Sequence, residues 1–321
     1  MKRICFISLI LIGCISCEKV IPFDGDVAVS KLVINSLFQS DSTFKVHVSS
    51  SKSVIDTASL QHVEDAVVAI KDKNGIIIEN LIHNTNGFYI GQTFPNNYQT
   101  YQLVVSHPNY DNVSAIDSLP APIIINNIDT TTLVDPINGD RLEVTLNFDD
   151  PENIQNFYLV ETFAVFESLL MKDSIDSNGN PVLDTLTGGA IQDTIEFELD
   201  TSQQYMLLTD EVFQNGGSPW QNQGLFNDLL FDGQTKALTI EIPYDSYSEQ
   251  GDGYKYSYEI KGLRLYLNNI STSYYYYRTS LKLYEDQSGN PFAQPVQVFS
   301  NINNGFGVFA GAQVSYFDYN F

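Results

Sequence analysis

At 321 residues, with 16 Lys and Arg against 39 Asp and Glu, the chain carries a formal charge of -23. A surface this acidic is repelled by nucleic-acid phosphates and anionic lipid headgroups, which excludes electrostatic binding to either. The length holds one large or two ordinary domains, and 19 Tyr and 20 Phe beside a single Trp fit β-sheets joined by polar turns.

Lys2 and Arg3 form a short basic segment, Ile4 to Ile15 an apolar one, and Cys14-Ile15-Ser16-Cys17 a processing site. The apolar run is too short to span a bilayer, so residues 1–16 read as an export signal. A cysteine directly after small residues is the acylation point of a bacterial lipoprotein. Cys17 is therefore the expected lipidation site, and its acyl chains the expected membrane tether. Cys14, preceded by Leu11-Ile12-Gly13, is the rival acceptor and leaves a shorter apolar segment. Cleavage at Cys17 leaves no second cysteine, so stability must come from packing rather than disulfides.

Residues 17–27 read as a tether and 28–119 as an N-terminal β-sandwich. Leu32-Val-Ile-Asn-Ser-Leu opens it, and Phe44, Val46 and Val48 alternate with polar residues, so one face is buried. Val67 to Ile78 is a hairpin signature with Asn74-Gly75 at its turn. Asn86-Gly87 marks a second turn, and Tyr101 to Tyr110 closes the unit. Leu119-Pro-Ala-Pro122 is the linker, because two prolines fix φ and deny ladder hydrogen bonds.

Residues 120–321 read as a second β-rich domain. Leu142 to Phe148 alternates cleanly and stops at Asp149-Asp150-Pro151-Glu152, which reads as an exposed turn. Asn156 to Phe166 is a longer, more buried strand, and Lys172 to Leu186 a polar hairpin. Thr194 to Leu199, Ala237 to Ile242, Tyr254 to Ile260 and Leu263 to Leu267 are further strands. One helix near 270–287 is predicted from Ile270, Tyr274, Tyr277, Leu281 and Tyr284, which share a helical face. Asn269 or Ser271 caps it and Gly289 with Pro291 ends it. The fold class is thus mainly β: two sandwich-like domains of immunoglobulin or transthyretin type, the second with one substantial helix.

Chemical motifs are sparse. His47, His62, His83 and His107 lack the spacing of a catalytic zinc site, and His47 should face solvent, so no metal or cofactor is expected. Asp173, Asp176, Asn178, Asn180 and Asp184 suggest a calcium loop, but counting from Asp176, Pro181 and Thr187 occupy the positions where an EF-hand needs Gly and Glu. No nucleophile elbow, phosphate loop or dinucleotide fingerprint occurs. Ligand-binding candidates are Trp220, in a loop of Gly, Ser, Asn and Gln, and Tyr274 and Tyr277 on the helix.

Three stretches carry a resemblance: Cys17 to Asp24 followed by Lys31-Leu-Val-Ile-Asn35; Phe226 to Gln234; and Gly289 to Val296 followed by Ser300 to Ala312. Together the chain resembles exported Bacteroidota lipoproteins of the domain-of-unknown-function family 4249. The resemblance implies an outer-membrane lipoprotein encoded beside a TonB-dependent transporter, an N-terminal unit similar to carboxypeptidase-regulatory sandwiches, and no established catalytic residues. It therefore implies a non-enzymatic accessory that helps capture a ligand for uptake, with the transporter as partner, the lipid as membrane contact, and no nucleic acid. A surface adhesin is the alternative expectation, and a polysaccharide or peptide hydrolase the third.

Overall fold

The computed structural model describes residues 29–53, 59–137, 139–187, 189–213, 220–244, 247–251, 253–287, 290 and 292–321. Cys17, Cys14, Gly289, Pro291 and positions 214–219 of the loop before Trp220 lie outside the described residues. The protein is mainly β with a single helix among the described residues.

Alternation sets the first seven strands: β1 (Leu32–Phe38), β2 (Lys45–Ser50), β3 (Val67–Asp72), β4 (Ile77–His83), β5 (Phe88–Ile90), β6 (Thr100–His107) and β7 (Tyr110–Ser118). They hydrogen-bond in the order β1-β2-β5-β4-β3-β6-β7. Leu32, Ile34 and Phe38 of β1, Val46 and Val48 of β2, and Tyr101, Leu103 and Val105 of β6 point into one core, each at most 4% exposed. Burying each such side chain contributes roughly 1.5–3 kcal/mol before entropy is subtracted. The Asn74-Gly75 turn forms as expected. Gly75 has φ +82°, and the Asp72 carboxylate accepts from the amides of Asn74 and Ile76 at 2.9 Å.

The rest of the chain supplies β8 (Ile125–Leu133), β9 (Arg141–Asp149), β10 (Phe157–Asp173), β11 (Gln192–Gln203), β12 (Met206–Leu207) and β13 (Trp220–Gln221). Then follow β14 (Gln223–Asn227), β15 (Thr235–Pro243), β16 (Tyr247–Gly251), β17 (Tyr254–Ile270), α1 (Thr272–Gln287) and β18 (Phe306–Asn320). A five-stranded sheet, β13-β12-β15-β9-β8, faces the β11-β10-β17-β18 part of the larger sheet. Between them lies a second core, in which Val144, Leu146 and Phe148 of β9 meet Tyr158 and Val160 of β10 and Leu265 and Leu267 of β17.

Strand β18 joins the two halves of the large sheet. Its first half, Phe306 to Gly311, pairs parallel with Val33 to Phe38 of β1. Its second half, Ala312 to Asn320, pairs antiparallel with Gly262 to Ile270 of β17. Ile302 and Phe309 thereby enter the first core. The chain leaves that core at Leu119, which is itself buried there, and returns to it only at its end. One continuous sheet therefore runs from the first core into the second. At Gly307, φ is +100° and a Cβ would lie 1.9 Å from the Ile34 carbonyl oxygen, so only glycine fits this parallel pairing.

The helix lies on the outer face of that sheet and buries none of its residues fully. Ser271 is the N-cap, its Oγ accepting the Tyr274 amide at 3.3 Å. Ile270 ends β17 instead of opening the helix. The contact is a small cluster of Phe157, Leu159, Ile270 and Ala312 with Tyr274 and Tyr275 packed on it. Tyr275 was outside the expected stripe, yet its ring lies 4.5 Å from that of Phe157. Tyr284 is 52% exposed, because the helix runs off the sheet before reaching it.

Candidate functional site

Strand alternation leaves β1, β2 and β5 with an outer face, and α1 crosses the sheet beside it. Leu37, Lys45, His47, Phe88, Val308 and Tyr277 line an open groove of about 460 Å³ there. The His47 ring packs 4.7 Å from Phe88, and Lys45 Nζ sits 4.5 Å above the same ring. Aromatic surfaces, a cation and imidazole nitrogens are thus presented together on rigid strands, the mixture that ligand grooves use. On the other flank of α1, Gln221, Gln223, Arg278, Lys282 and Glu285 line a more polar groove of about 290 Å³.

Of the residues singled out in the sequence, Tyr277 lines the first groove. Tyr274 stacks beside Tyr277 at 6.5 Å and accepts from Arg278 Nη1 at 3.3 Å. Trp220 is elsewhere. It is half-buried at the end of the five-stranded sheet, paired with Leu207, and only its neighbour Gln221 reaches the second groove. The three candidates do not form one pocket.

The acidic 173–184 segment forms a hairpin whose carboxylates are turned onto the chain itself. Asp176 Oδ1 accepts from the amides of Asn178 and Asn180 at 2.8 and 2.9 Å. Asp184 Oδ1 accepts from Leu186 and Thr187, both at 2.8 Å. Those amide bonds hold both carboxyls below the usual range.

Two features were not anticipated. His47 points to the outer face as expected but is half-buried, because a strap carrying His62 lies over β2, placing His47 Nε2 3.1 Å from His62 Nδ1. Burial, then the His62 ring, lowers the His47 pKa, and a hydrogen bond to the Asn86 carbonyl partly offsets them. The second feature is a cleft of about 470 Å³ between the two cores, bordered by Asp117, Leu119, Pro120, Asn156, Phe157 and Ser271. Asp117 Oδ2 accepts from Ser271 Oγ and, at 3.3 Å, from the Gly311 amide. It thus ties β7 to the helix cap and to β18. Burial raises its pKa from 3.8 to about 6, more than these bonds lower it.

The family model described as Domain of unknown function (DUF4249) matches residues 18–317. The chain belongs to the DUF4249 family. No curated protein matches it. In this DUF4249 protein the stretches that carried the resemblance have distinct places. Val33 to Asn35 of the first stretch and Phe306 to Val308 of the third are partners in the parallel β1–β18 pair. Phe226 to Gln234 encloses Asp228 and Asp232, which with Asp150 bring three carboxylates within 4.8 Å.

Asp149 and Glu152 of the turn expected to be exposed are exposed, but Asp150 within it is only 6% exposed. It accepts from the Tyr158 hydroxyl, from the Gly233 amide at 2.9 Å and from Asn156 Nδ2 at 3.3 Å. Asn156 also donates its amide to Asp228 and receives Asn269 Nδ2 at 3.4 Å. The DUF4249 acidic cluster is therefore a hydrogen-bonded corner that fixes the β9–β10 and β14–β15 connections. Burial raises the pKa of Asp150, and burial also raises that of Tyr158, so the phenol stays the donor.

Proposed function

We propose that this DUF4249 protein is a non-enzymatic, lipid-anchored outer-membrane subunit that captures a ligand for a TonB-dependent transporter. The observation that carries the reading is the groove beside α1, where Tyr277, Phe88, His47 and Lys45 converge on the rigid sheet that joins both cores. A preformed groove of mixed aromatic and polar character suits reversible capture. The export signal and Cys17 would place that groove at the membrane.

The test is affinity purification of a C-terminally tagged copy from native outer membranes in mild detergent. A TonB-dependent barrel is expected at stoichiometric yield. Recovery of the tagged protein alone, with the tag accessible, counts against the reading.

A second reading, a surface interaction module, draws on β10 and β11, which extend past the core and leave Phe197 56% and Leu199 58% exposed. If cells lacking the protein adhere as well as cells that carry it, that reading fails.

A further inference from the structure

We infer that His47 and His62 form a bidentate imidazole site for a divalent transition-metal ion, of the Cu2+ or Zn2+ class. The site shares His47 with the groove, but it does not depend on the capture reading. The two nitrogens, His47 Nε2 and His62 Nδ1, are 3.1 Å apart, with the rings at 76° to each other. If each nitrogen bound a metal at the usual distance of about 2.05 Å, a 3.1 Å separation would subtend about 100° at the ion. That angle lies between square-planar and tetrahedral, the range that copper and zinc accept.

The surroundings are built for ligation. The Asn86 backbone hydrogen-bonds the His47 ring. Outer hydrogen bonds of this kind orient the rings of metal-bound imidazoles generally. Asn86 reaches that position in the left-handed region at φ 51°, followed by Gly87 at φ 73°. A Cβ on residue 87 would stand 2.4 Å from the Val48 carbonyl oxygen and 3.1 Å from His62 Cβ, so glycine makes room for the second ligand. The His62 strap is pinned to β2 on both sides, by Ser50 N to Gln61 O at 3.0 Å and by Val63 N to Val48 O at 3.1 Å. His62 is exposed, which leaves the remaining coordination positions open to water or an added ligand. The net charge of -23 raises the local concentration of cations.

The experiment is a Cu2+ titration of the full chain in detergent with its cysteine thiols alkylated, followed by electron paramagnetic resonance and by the metal-induced change in Tm. One equivalent of Cu2+ carrying two imidazole nitrogens is expected. His47→Ala and His62→Ala should each weaken binding at least about tenfold, since even partners outside the coordination sphere are worth about 10–100-fold. Asp228→Asn should leave the two-imidazole signal intact. Because His47 packs on Phe88, His62→Ala on the exposed strap is the decisive variant if His47→Ala unfolds. A spectrum without two imidazole couplings, or one that survives His62→Ala, would mean that the pair is joined by a hydrogen bond and nothing more.

Discussion

Replacing Gly307 by alanine should lower Tm by about 10 °C or more, corresponding to a loss of about 3–5 kcal/mol in a domain of this size. Two costs combine. A left-handed backbone costs an L-residue about 1–2 kcal/mol, and here the new methyl also meets the Ile34 carbonyl at 1.9 Å, closer than any contact can be. The strand must move, and with it the parallel pairing of Ile34, Asn35 and Val308 that holds the first core to the second. Gly75→Ala provides the control. Its φ is similar, +82°, but nothing lies within 4 Å of the added atom. That variant should lose only about 1–2 kcal/mol. Thermal unfolding of both variants decides the matter. Equal losses would show that backbone strain alone is responsible and that the β1–β18 contact is not tight.

The second large effect is expected at Asp117, through pH. Its pKa is 3.8 ordinarily and about 6 in the folded protein, raised by burial. The folded state therefore binds a proton more tightly than the unfolded one. This contribution is fully present below pH 4, fades as pH rises towards 6, and is absent above that. A shift of that size is worth at most about 3 kcal/mol. Asp117→Asn removes the titration while keeping an oxygen to accept from Ser271 and Gly311. The variant should be more stable than the parent at pH 7.5 by about 1–2 kcal/mol, after about 1 kcal/mol for the altered hydrogen bonding. The advantage should vanish as pH falls from 6 to 4. Denaturant unfolding at four or five pH values measures it, and a difference that does not change with pH would sink the assignment.

Much of the fold is legible in short windows. Leu142 to Phe148 alternates and forms β9, Asn74-Gly75 makes the turn its chemistry demands, and Ser271 caps the helix. Each of these depends on residues a few positions apart. Pairings between distant segments leave no such trace. Nothing local to the glycines around Phe306 says that Phe306 to Gly311 will lie parallel to β1. His47 and His62 are fifteen positions apart, on a strand and on the strap above it, so no helical spacing rule could join them. Asp150 sits in an Asp-Asp-Pro-Glu sequence that looks solvated, and is buried because Tyr158, Asn156 and Gly233 close over it. The one local signal at Asp117 is its place just before Leu119-Pro120, where two cores must meet.

The shared strand also governs the order in which the molecule can be completed. Val33 waits for Phe306, about 270 residues later in the chain. At synthesis rates of about 5–20 residues per second, that interval is on the order of tens of seconds. Throughout it one side of β1 is an open template, with hydrophobic Leu32 and Ile34 beside unpaired backbone groups. The first core is therefore assembled last at this edge, and folding carries the slow, non-local closure typical of high contact order. Truncating the final strand would leave not a shorter protein but an unfinished one, with a sticky edge at its beginning.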